Sequence, residues 1–348
     1  MKLRSLLLIL LVCILGVGAH ATIMTHQYGS KTNKWPMDIL ALANKPAVVA
    51  YSLNRALSHS YTGKLFQAVR ASDSTTLDIG MINGIVDHAA YDTFCTSTTC
   101  FMSKLYDQGP SHLDFIANTG FGATGSSALV RRIVLTNGKI VFNAEKELNG
   151  TLDGPQRPAV GYSTGTRNGD PNNGGMPGTP VTGASVPVTE YWTINGTFSV
   201  NNCCFDFGEG ESTYSDNGNG HMFALGLGGN PNPLQSIDIE NGGLFLSGTG
   251  YAGATIENGI AKTDGATVWT GKTGHAQTGA LITWNNNVAL PGDHTPLLLE
   301  GGIAMMQGGD GSNASPGAFY EGYIVASQTA DAIDNAIQAS SVSFYGPP

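Results

Sequence analysis

The chain has 348 residues, enough for one large domain or two ordinary ones, and a formal net charge of −9. This acidic balance, without a lysine or arginine cluster, argues against binding to nucleic acid or to an anionic membrane and favours a neutral partner. Only 12% of the residues are charged, 47 are glycine and 41% are apolar, which is typical of an exported β-protein with many turns rather than of a disordered chain.

The N-terminus predicts a secretory signal peptide over residues 1–21. Two cations precede the apolar run Leu6–Val17, and Ala19-His20-Ala21 supplies the small residues of a cleavage site. The run is shorter than the roughly 20 residues that cross a bilayer, so we expect no membrane segment. We therefore expect a secreted protein with a single domain over residues 22–348, whose formal charge changes from −9 to −11 when the two cations are lost.

The elements of the first half of the chain are few. A short apolar helix is predicted around Asp38–Leu42, and the apolar segment Val48–Leu57 follows it. The clearest local prediction is a β-hairpin over Val134–Val141, because its Asn-Gly pair is the pair that a type I′ turn requires. Residues 163–186, rich in Gly, Pro, Asn and Thr, are expected to form a long surface loop.

The second half predicts many short strands and one helix. Ala332, Ile333, Ala336 and Ile337 lie on one helical face behind Thr329, a candidate N-cap. This pattern of short strands with turn signals predicts an all-β protein, a β-sandwich. The predicted strands are Val188–Ile194, Met222–Leu227, Gly243–Ser247, Thr267–Thr270, Leu281–Trp284, Gly302–Met306 and Phe319–Val325.

Four cysteines remain once the signal is removed: Cys95, Cys100, Cys203 and Cys204. An even number in an exported chain predicts disulfides. The spacing favours Cys95–Cys100, which leaves a strained bond between the neighbours Cys203 and Cys204, because one peptide holds their Cα atoms near 3.8 Å. A crossed arrangement, 95 to 203 and 100 to 204, is the alternative that the spacing leaves open.

The candidate chemistry is carried by carboxylates. The histidines show no metal-ligand spacing, so no metal site is expected, and His221 is interpreted as a hydrogen-bonded structural residue. In Asp238-Ile239-Glu240 the two carboxylates would project from one face of a strand with Ile239 buried behind them, although a solvated strand face has the same pattern. Asp310 lies between glycines, which also form plain turns. Glycoside hydrolysis needs a carboxylic acid and a carboxylate on opposite sides of the scissile bond.

Several motifs, in order along the chain, resemble glycoside hydrolase family 54, the α-L-arabinofuranosidases. The resemblance implies a concanavalin-like β-sandwich (a jelly roll) with long loops and few short helices, and a retaining mechanism without a cofactor. The motifs are Ala50–Leu57 with Tyr61–Leu65, Asp92–Cys100, Leu105–Gln108, Cys203–Gly208, Gly218–Met222, Asp238–Asn241, and Gly308–Asp310 through Phe319–Gly322.

The resemblance also implies roles for individual residues. Glu240 corresponds to the nucleophile and Asp310 to the acid/base. The bonds Cys95–Cys100 and Cys203–Cys204 correspond to the family's disulfides, and the adjacent pair would pack against the furanose. The other expected substrate-binding positions are Asp238, Asn241, Gly242 and Gly309.

Three departures from the family pattern stand out. Gly242-Gly243 follows Asn241 where the family has a further asparagine, and the loop over 228–236 contains no tryptophan for stacking on the sugar. A first disulfide is missing, since Met37-Asp38 and Ala47 occupy its positions. We also expect no C-terminal arabinose-binding module after Pro348.

The expected function is therefore that of a secreted, exo-acting α-L-arabinofuranosidase that releases arabinose from plant cell-wall polysaccharides such as arabinoxylan and arabinan. The expected partner is an arabinose-containing polysaccharide or oligosaccharide, with no nucleic acid, membrane or protein partner. Two alternatives stay open: a glycosidase for another furanose or for xylose, and a lectin-like sandwich that binds glycans without cleaving them.

Overall fold

The computed structural model describes residues 35–118, 128–146, 161–164, 181–197, 205–211, 218–228, 234–241, 243–245, 256–309 and 316–347. The predicted signal peptide lies outside these residues. Within them, no helix is of the length and apolarity that crossing a membrane requires.

The described residues form mostly antiparallel strands, so the expectation of an all-β sandwich is confirmed. The helices are α1 (Pro36–Leu42), α2 (His88–Phe94) and α3 (Asp331–Tyr345), with a short 3-10 helix at Gly292–His294. The strands of the first half are β1 (Ala47–Ser52), β2 (Phe66–Arg70), β3 (Thr76–Ile79), β4 (Met81–Ile82), β5 (Ile85–Val86), β6 (Cys100–Leu105), β7 (Phe115–Asn118), β8 (Ala128–Val134), β9 (Ile140–Lys146) and β10 (Gly161–Thr164). Those of the second half are β11 (Gly183–Ala184), β12 (Val188–Ile194), β13 (Phe205–Gly210), β14 (Phe223–Gly228), β15 (Leu234–Asp238), β16 (Gly243–Phe245), β17 (Glu257–Thr263), β18 (Val268–His275), β19 (Ile282–Ala289), β20 (Leu298–Leu299), β21 (Gly302–Gln307) and β22 (Gly317–Val325).

Two layers of strands enclose the main core. One layer runs β19–β18–β17–β12–β22 and continues to β1 and β9, and the other runs β16–β15–β14–β13–β21–β10–β7. They join at β6, which pairs with β2 along one side and, along the other, with β8 near its start and with β7 near its end. The core between them is built from alternate residues of the strands, such as Trp192 of β12, Phe207 of β13 and Leu225 of β14.

A second apolar cluster covers the outer face of the first layer. Helices α1 and α3 pack there through Leu40 and Ile337 against Tyr191 and Tyr323. At the start of α3, the buried Asp334 receives hydrogen bonds from Lys262 (2.8 Å) and Lys272 (2.7 Å). These contacts fix α3 on the sheet through opposite charges as well as apolar contact.

Glu190 of β12 points into the sandwich and crosses it. Its Oε1 accepts a hydrogen bond from the backbone N–H of Glu209 (2.7 Å), and its Oε2 accepts one from the backbone N–H of Leu225 (3.0 Å). Gly208 has φ 154°, and a Cβ there would lie 2.2 Å from Oε2. Burial raises the pKa of Glu190 well above its ordinary value, although both backbone hydrogen bonds act to lower it. A carboxyl group thus satisfies two backbone groups of the facing sheet.

The predicted strands of the second half agree with the structure to within a few residues at most ends, and Val188–Ile194 agrees at both. Several details differ. Val48–Leu57 is mostly strand β1 and the turn after it, and the helix of the last segment has Ala330 as its N-cap, without a side-chain cap. Thr329 donates instead to Asp334 (2.6 Å). The predicted loop over 163–186 carries parts of β10 and β11 at its ends, and residues 165–180 lie outside the described residues.

The hairpin around Asn137 and Gly138 is confirmed, but its turn type is not. The N–H of Gly138 donates to Leu135 O, and the N–H of Leu135 donates to Lys139 O, both at 2.8 Å. Gly138 has a positive φ of 77°, whereas Asn137 is not among the positive-φ residues. This is a type I turn followed by a bulged glycine, and a type I′ turn would need positive φ at both residues.

Candidate active site

The candidate site is a corner at the end of β15. Asp238 is the last residue of the strand, Ile239 is fully buried in the core, and Asp238 and Glu240 are half-buried. Glu240 and Asn241 both adopt left-handed backbone conformations, with φ of 61° and 50°. The prediction that Glu240 lies on the strand is therefore wrong, since the chain leaves the extended conformation before it. Two consecutive non-glycine residues in this region are uncommon and cluster at functional sites.

Backbone hydrogen bonds clamp this corner from both sides. The N–H of Glu240 donates to Asp238 Oδ1 (3.1 Å), which turns the Asp238 carboxylate toward its own strand end. The N–H of Gly220 donates to Ile239 O (2.9 Å), and Gly220 O accepts from the N–H of Leu298 (2.8 Å). The segment 218–222 is thus held between the corner and the segment 292–298.

His294, at the end of the 3-10 helix, contacts the corner directly. Its Nε2 lies 2.5 Å from Glu240 O, and its Nδ1 lies 2.9 Å from Asp293 Oδ1. The ring is 4% exposed, so it is held inside the protein. The hydrogen bond from His294 lowers the pKa of the exposed Asp293 carboxyl group below its ordinary value.

Two asparagines extend the same network to the surface. The Asn241 amide Nδ2 donates to Asn219 Oδ1 (3.0 Å), and the Asn219 amide donates in turn to Asp293 Oδ2 (3.4 Å). The side chain of Asn241 is exposed but bound to a neighbour. The corner is therefore a continuous hydrogen-bonded unit made by three separate chain segments.

Gly309 follows β21 and lies close against Met222 and Gly210. A Cβ at this position would lie 2.3 Å from Cε of Met222 and 3.2 Å from the Cα of Gly210. Its carbonyl oxygen accepts from the N–H of Glu211 (3.1 Å). Met222 belongs to the segment 218–222, which is hydrogen-bonded to the corner through Gly220. Gly309, which contacts Met222, therefore lies at the same end of the sheet as Glu240.

A bulge in β21 precedes this approach. Met306 is fully buried with φ 63°, and the pairing register between β13 and β21 shifts between Asp206 and Phe207. A bulge inserts one extra residue and bends the strand. Left-handed residues thus occur on both approaches to the predicted catalytic residues, inside the end of β21 and just after β15.

Small and polar residues line the sheet face away from the core beside the corner. Gly226 of β14 lies between Asp206 of β13 and Ser236 of β15, and a Cβ at Gly226 would be 2.8 Å from an oxygen of each side chain. Alternate residues on these strands face the opposite side, so this row continues toward Asp238. The row places hydroxyl and carboxylate groups along the approach to Glu240.

His221 is hydrogen-bonded as expected, with Nδ1 3.0 Å from Glu300 Oε1. Among the residues that the structure describes, no cluster of three or more His, Cys, Asp or Glu side chains forms a metal site. Cys95 and Cys100 form a disulfide with a Cα–Cα distance of 5.9 Å, which matches the implied pairing and excludes the crossed one. It lies between α2 and β6, away from the candidate site.

Of the predicted site residues, the structure brings Asp238, Glu240 and Asn241 together and places Gly309 at the same end of the sheet. Asp310, Gly242, Cys203 and Cys204 lie outside the described residues. Their predicted roles stay predictions.

Sequence reasoning missed two residues of the corner, Asp293 and His294. Their segment shows no periodicity and belongs to no quoted motif, so only the pairing of distant segments reveals it. Gly220 and Asn219 lie in the quoted motif Gly218–Met222, but that motif gave them no role.

The corner supplies, within a β-sandwich, a carboxyl group of the kind that glycoside hydrolysis requires. The model of the family described as "Alpha-L-arabinofuranosidase B, catalytic" matches residues 36–345. The chain belongs to this family of glycoside hydrolases.

Individual relatives agree with the family match. The chain is 32% identical to an α-L-arabinofuranosidase B of Aspergillus oryzae over 88% of its length, and 31% identical to an α-L-arabinofuranosidase of Hypocrea jecorina over 90%. It covers 62% and 63% of these proteins, so it spans less than two thirds of the relatives that it matches.

Solved structures give the same result. An arabinofuranosidase complexed with arabinofuranosyl-α-1,2-xylobiose superposes with a TM-score of 0.75 at 28% identity, covering 89% of this chain and 65% of that one. A GH54 α-L-arabinofuranosidase soaked with a cyclic sulfate inhibitor gives a TM-score of 0.76 at 29% identity over the same shares of the two chains.

Proposed function

We propose that this protein is a secreted, exo-acting α-L-arabinofuranosidase that releases arabinose from plant cell-wall polysaccharides by double displacement. The observation that carries the proposal is the Glu240 corner, a left-handed and multiply hydrogen-bonded strand end that presents a carboxylate within a glycoside hydrolase family. Strain of this kind persists only where the surrounding structure fixes it.

In the proposed mechanism, Glu240 attacks the anomeric carbon and forms a glycosyl-enzyme. Asp310 first donates its proton to the leaving oxygen and then, as a carboxylate, activates the water that releases arabinose. No cofactor takes part. The two carboxyl groups are expected to lie about 5–5.5 Å apart, because a single displacement would need about 6.5–9.5 Å.

The proposed substrate follows from the relatives. A related structure contains arabinofuranosyl-α-1,2-xylobiose, which has an arabinose branch on a xylose chain. Arabinoxylan is therefore a proposed substrate, and arabinan is proposed beside it because it also contains arabinofuranosyl units. Hydrolysis of β-xylosides is a second candidate activity. It is supported by a Trichoderma koningii relative named "Arabinofuranosidase/B-xylosidase", which is 31% identical.

Chromogenic α-L-arabinofuranoside and β-D-xyloside, assayed side by side, test the activity. Glu240→Ala and Asp310→Ala should each lose nearly all turnover, since general acid catalysis alone typically gives about 10²–10⁴-fold. Asp73→Ala is the matched control, because Asp73 is a surface carboxylate paired with Arg70. A tenth or more of wild-type turnover in either variant would refute the assignment, and inactive wild-type protein that binds the sugar would favour a lectin.

The stereochemistry is tested separately. Proton NMR of the first product should show a retained anomeric configuration. Added azide should restore turnover of both alanine variants, giving an inverted glycosyl azide with Glu240→Ala and a retained one with Asp310→Ala, because azide replaces a different group in each. An inverted first product from the wild-type protein would refute double displacement.

Secretion is tested by N-terminal sequencing of protein recovered from the medium of the native or a heterologous host. The mature chain should begin at Thr22. Protein that remains in the cells with residues 1–21 attached would contradict this part of the proposal.

A further inference from the structure

His294 and Glu240 are 54 positions apart in sequence, yet the imidazole Nε2 lies 2.5 Å from the Glu240 carbonyl oxygen. A carbonyl oxygen carries no proton, so the ring nitrogen is the donor. The Asp293 carboxylate lies against the other ring nitrogen and fixes the plane of the ring. The donor is therefore aimed at one backbone atom of the candidate nucleophile.

The backbone at this point needs support. A left-handed conformation is unfavourable for a glutamate, and here it occurs at Glu240 and is followed by a second left-handed residue, Asn241. The N–H of Glu240 is held by Asp238, and the carbonyl before it by Gly220. The bond from His294 holds the next carbonyl, so the peptide groups on both sides of the Glu240 Cα are fixed.

The direction of a side chain follows from the two peptide planes on either side of its Cα. If one plane rotates, the Glu240 carboxylate moves without any change in its chemistry. A misplacement of 1 Å at a reacting group costs about 10²-fold in rate. The contact therefore bears on catalysis even though the ring does not touch the reacting atoms.

We propose that His294 is a positioning residue for the nucleophile, acting through the Glu240 carbonyl. This inference rests on the proposed function of Glu240. The nearly complete burial of the ring and its two oxygen neighbours distinguish it from a surface histidine.

Three variants separate hydrogen bonding from packing. His294→Leu fills the space without a donor, and His294→Gln places an amide N–H at the reach of Nε2. Asp293→Asn removes the negative charge that holds the imidazole ring. Asp293 is itself exposed, so this change does not disturb the packing around the ring. On a chromogenic arabinofuranoside, we expect kcat of the leucine variant to fall by about 10–100-fold with KM changed by no more than about threefold. The glutamine variant should recover most of that loss, and Asp293→Asn should show a smaller fall in kcat.

Equal losses in the leucine and glutamine variants would overturn the proposal, because the ring would then act by packing alone. An unchanged kcat in a folded leucine variant would also overturn it. If the leucine variant does not fold, His294→Gln and Asp293→Asn decide the question. A near-wild-type kcat in His294→Gln together with a lowered kcat in Asp293→Asn supports the positioning role. Any other combination refutes it. An active Glu240→Ala variant would refute the proposed function itself, whatever the His294 variants show.

Discussion

Glu257 is a buried glutamate whose carboxyl group has one hydrogen bond to offset its removal from water. It is 1% exposed, and its Oε1 accepts a hydrogen bond from Gln235 Nε2 (2.8 Å). Burial raises its pKa to about 8, and the hydrogen bond from Gln235 offsets this only in part. The folded protein thus keeps a proton on Glu257 that the unfolded chain loses near pH 4.5.

The sign of the resulting pH dependence is fixed. Between about pH 4.5 and 8 the folded state binds the extra proton, so this group lowers the free energy of unfolding by up to about 1.4 kcal/mol per pH unit as pH rises. Below about pH 4.5 Glu257 is protonated in both the folded and the unfolded state, so it no longer lowers the free energy of unfolding. We predict that Glu257→Gln removes this slope and makes the protein more stable than wild type at pH 8, with little difference at pH 4.

Urea denaturation at a series of pH values measures the free energy of unfolding of the wild-type protein and of Glu257→Gln. Asp73→Asn is the control, because the pKa of Asp73 is lowered to about 2, so the pH dependence that this group gives to stability lies below about pH 4 and outside the tested range. Parallel curves for wild type and Glu257→Gln across pH 5–8 would contradict the prediction.

At the scale of elements, α3 depends on two lysines that meet two aspartates. Lys262 and Lys272 each contact both Asp331 and Asp334, but Asp334 is fully buried and the Asp331 side chain is 73% exposed. We predict that Asp334→Asn costs on the order of 3 kcal/mol, because it leaves two buried ammonium groups undercompensated. Asp331→Asn should cost less than about 1 kcal/mol.

Chemical denaturation of both variants gives the comparison. Asp331 and Asp334 lie in the same helix and contact the same two lysines. The difference between the costs of the two substitutions therefore reflects the burial of Asp334. Equal costs would contradict the prediction, because burial of Asp334 would then make no difference.

The β8–β9 hairpin supports the other end of α3. Asn137 Nδ2 donates to Gly346 O, and Lys139 Nζ donates to Phe344 O, which are carbonyl groups at the C-terminal end of the helix. Donors at this position satisfy groups that the helix leaves unpaired. The shape of the turn therefore matters beyond the hairpin.

Gly138 is the residue on which that shape depends. Its φ is 77° and a Cβ there would meet no atom within 4 Å, so any cost of Gly138→Ala comes from the backbone alone. We predict a loss of about 1 kcal/mol. Gly292 also has open space but lacks a positive φ, and Gly292→Ala should be neutral in the same thermal melts. A neutral Gly138→Ala would contradict the turn assignment.

At the scale of the molecule, β6 is the strand where the two layers meet, and the disulfide closes on its first residue, Cys100. The loop between Cys95 and Cys100 is short, so the bond restricts the unfolded chain modestly. We predict that replacing both cysteines by serine costs about 2 kcal/mol. Equilibrium denaturation checks this, and peptide mapping of the unreduced wild-type protein should show Cys203 bonded to Cys204.

The fold was predictable from the sequence because motifs spread over most of the chain carry it, and the strand bounds followed from short strand segments separated by turn signals. The geometry of Glu240 was not. Alternation places residues i and i+2 on one face only while the chain stays extended, and a positive φ at a glutamate has no local signal. His294 was missed because its role exists only through a contact 54 positions away.

Turn and cap details failed for a related reason. Asn-Gly fits two hairpin turns, and the hydrogen bonds of Leu135 with Gly138 and Lys139 decide between them. Thr329 has the chemistry of a cap, but the helix begins one residue later, with Ala330 as its N-cap, and the Thr329 hydroxyl donates to the buried Asp334. In both cases the sequence allows more than one local arrangement, and the structure selects one of them.

The side-chain carboxyl group of Glu190 makes two backbone amides report on the contact between the layers. The amide hydrogens of Glu209 and Leu225 are bonded to a side chain from the opposite layer. Fraying within β13 and β14 does not free them, so they exchange with deuterium only when the layers separate. Their exchange rates, read beside those of amides bonded within one sheet, would therefore distinguish opening of the sandwich from loosening of a single layer.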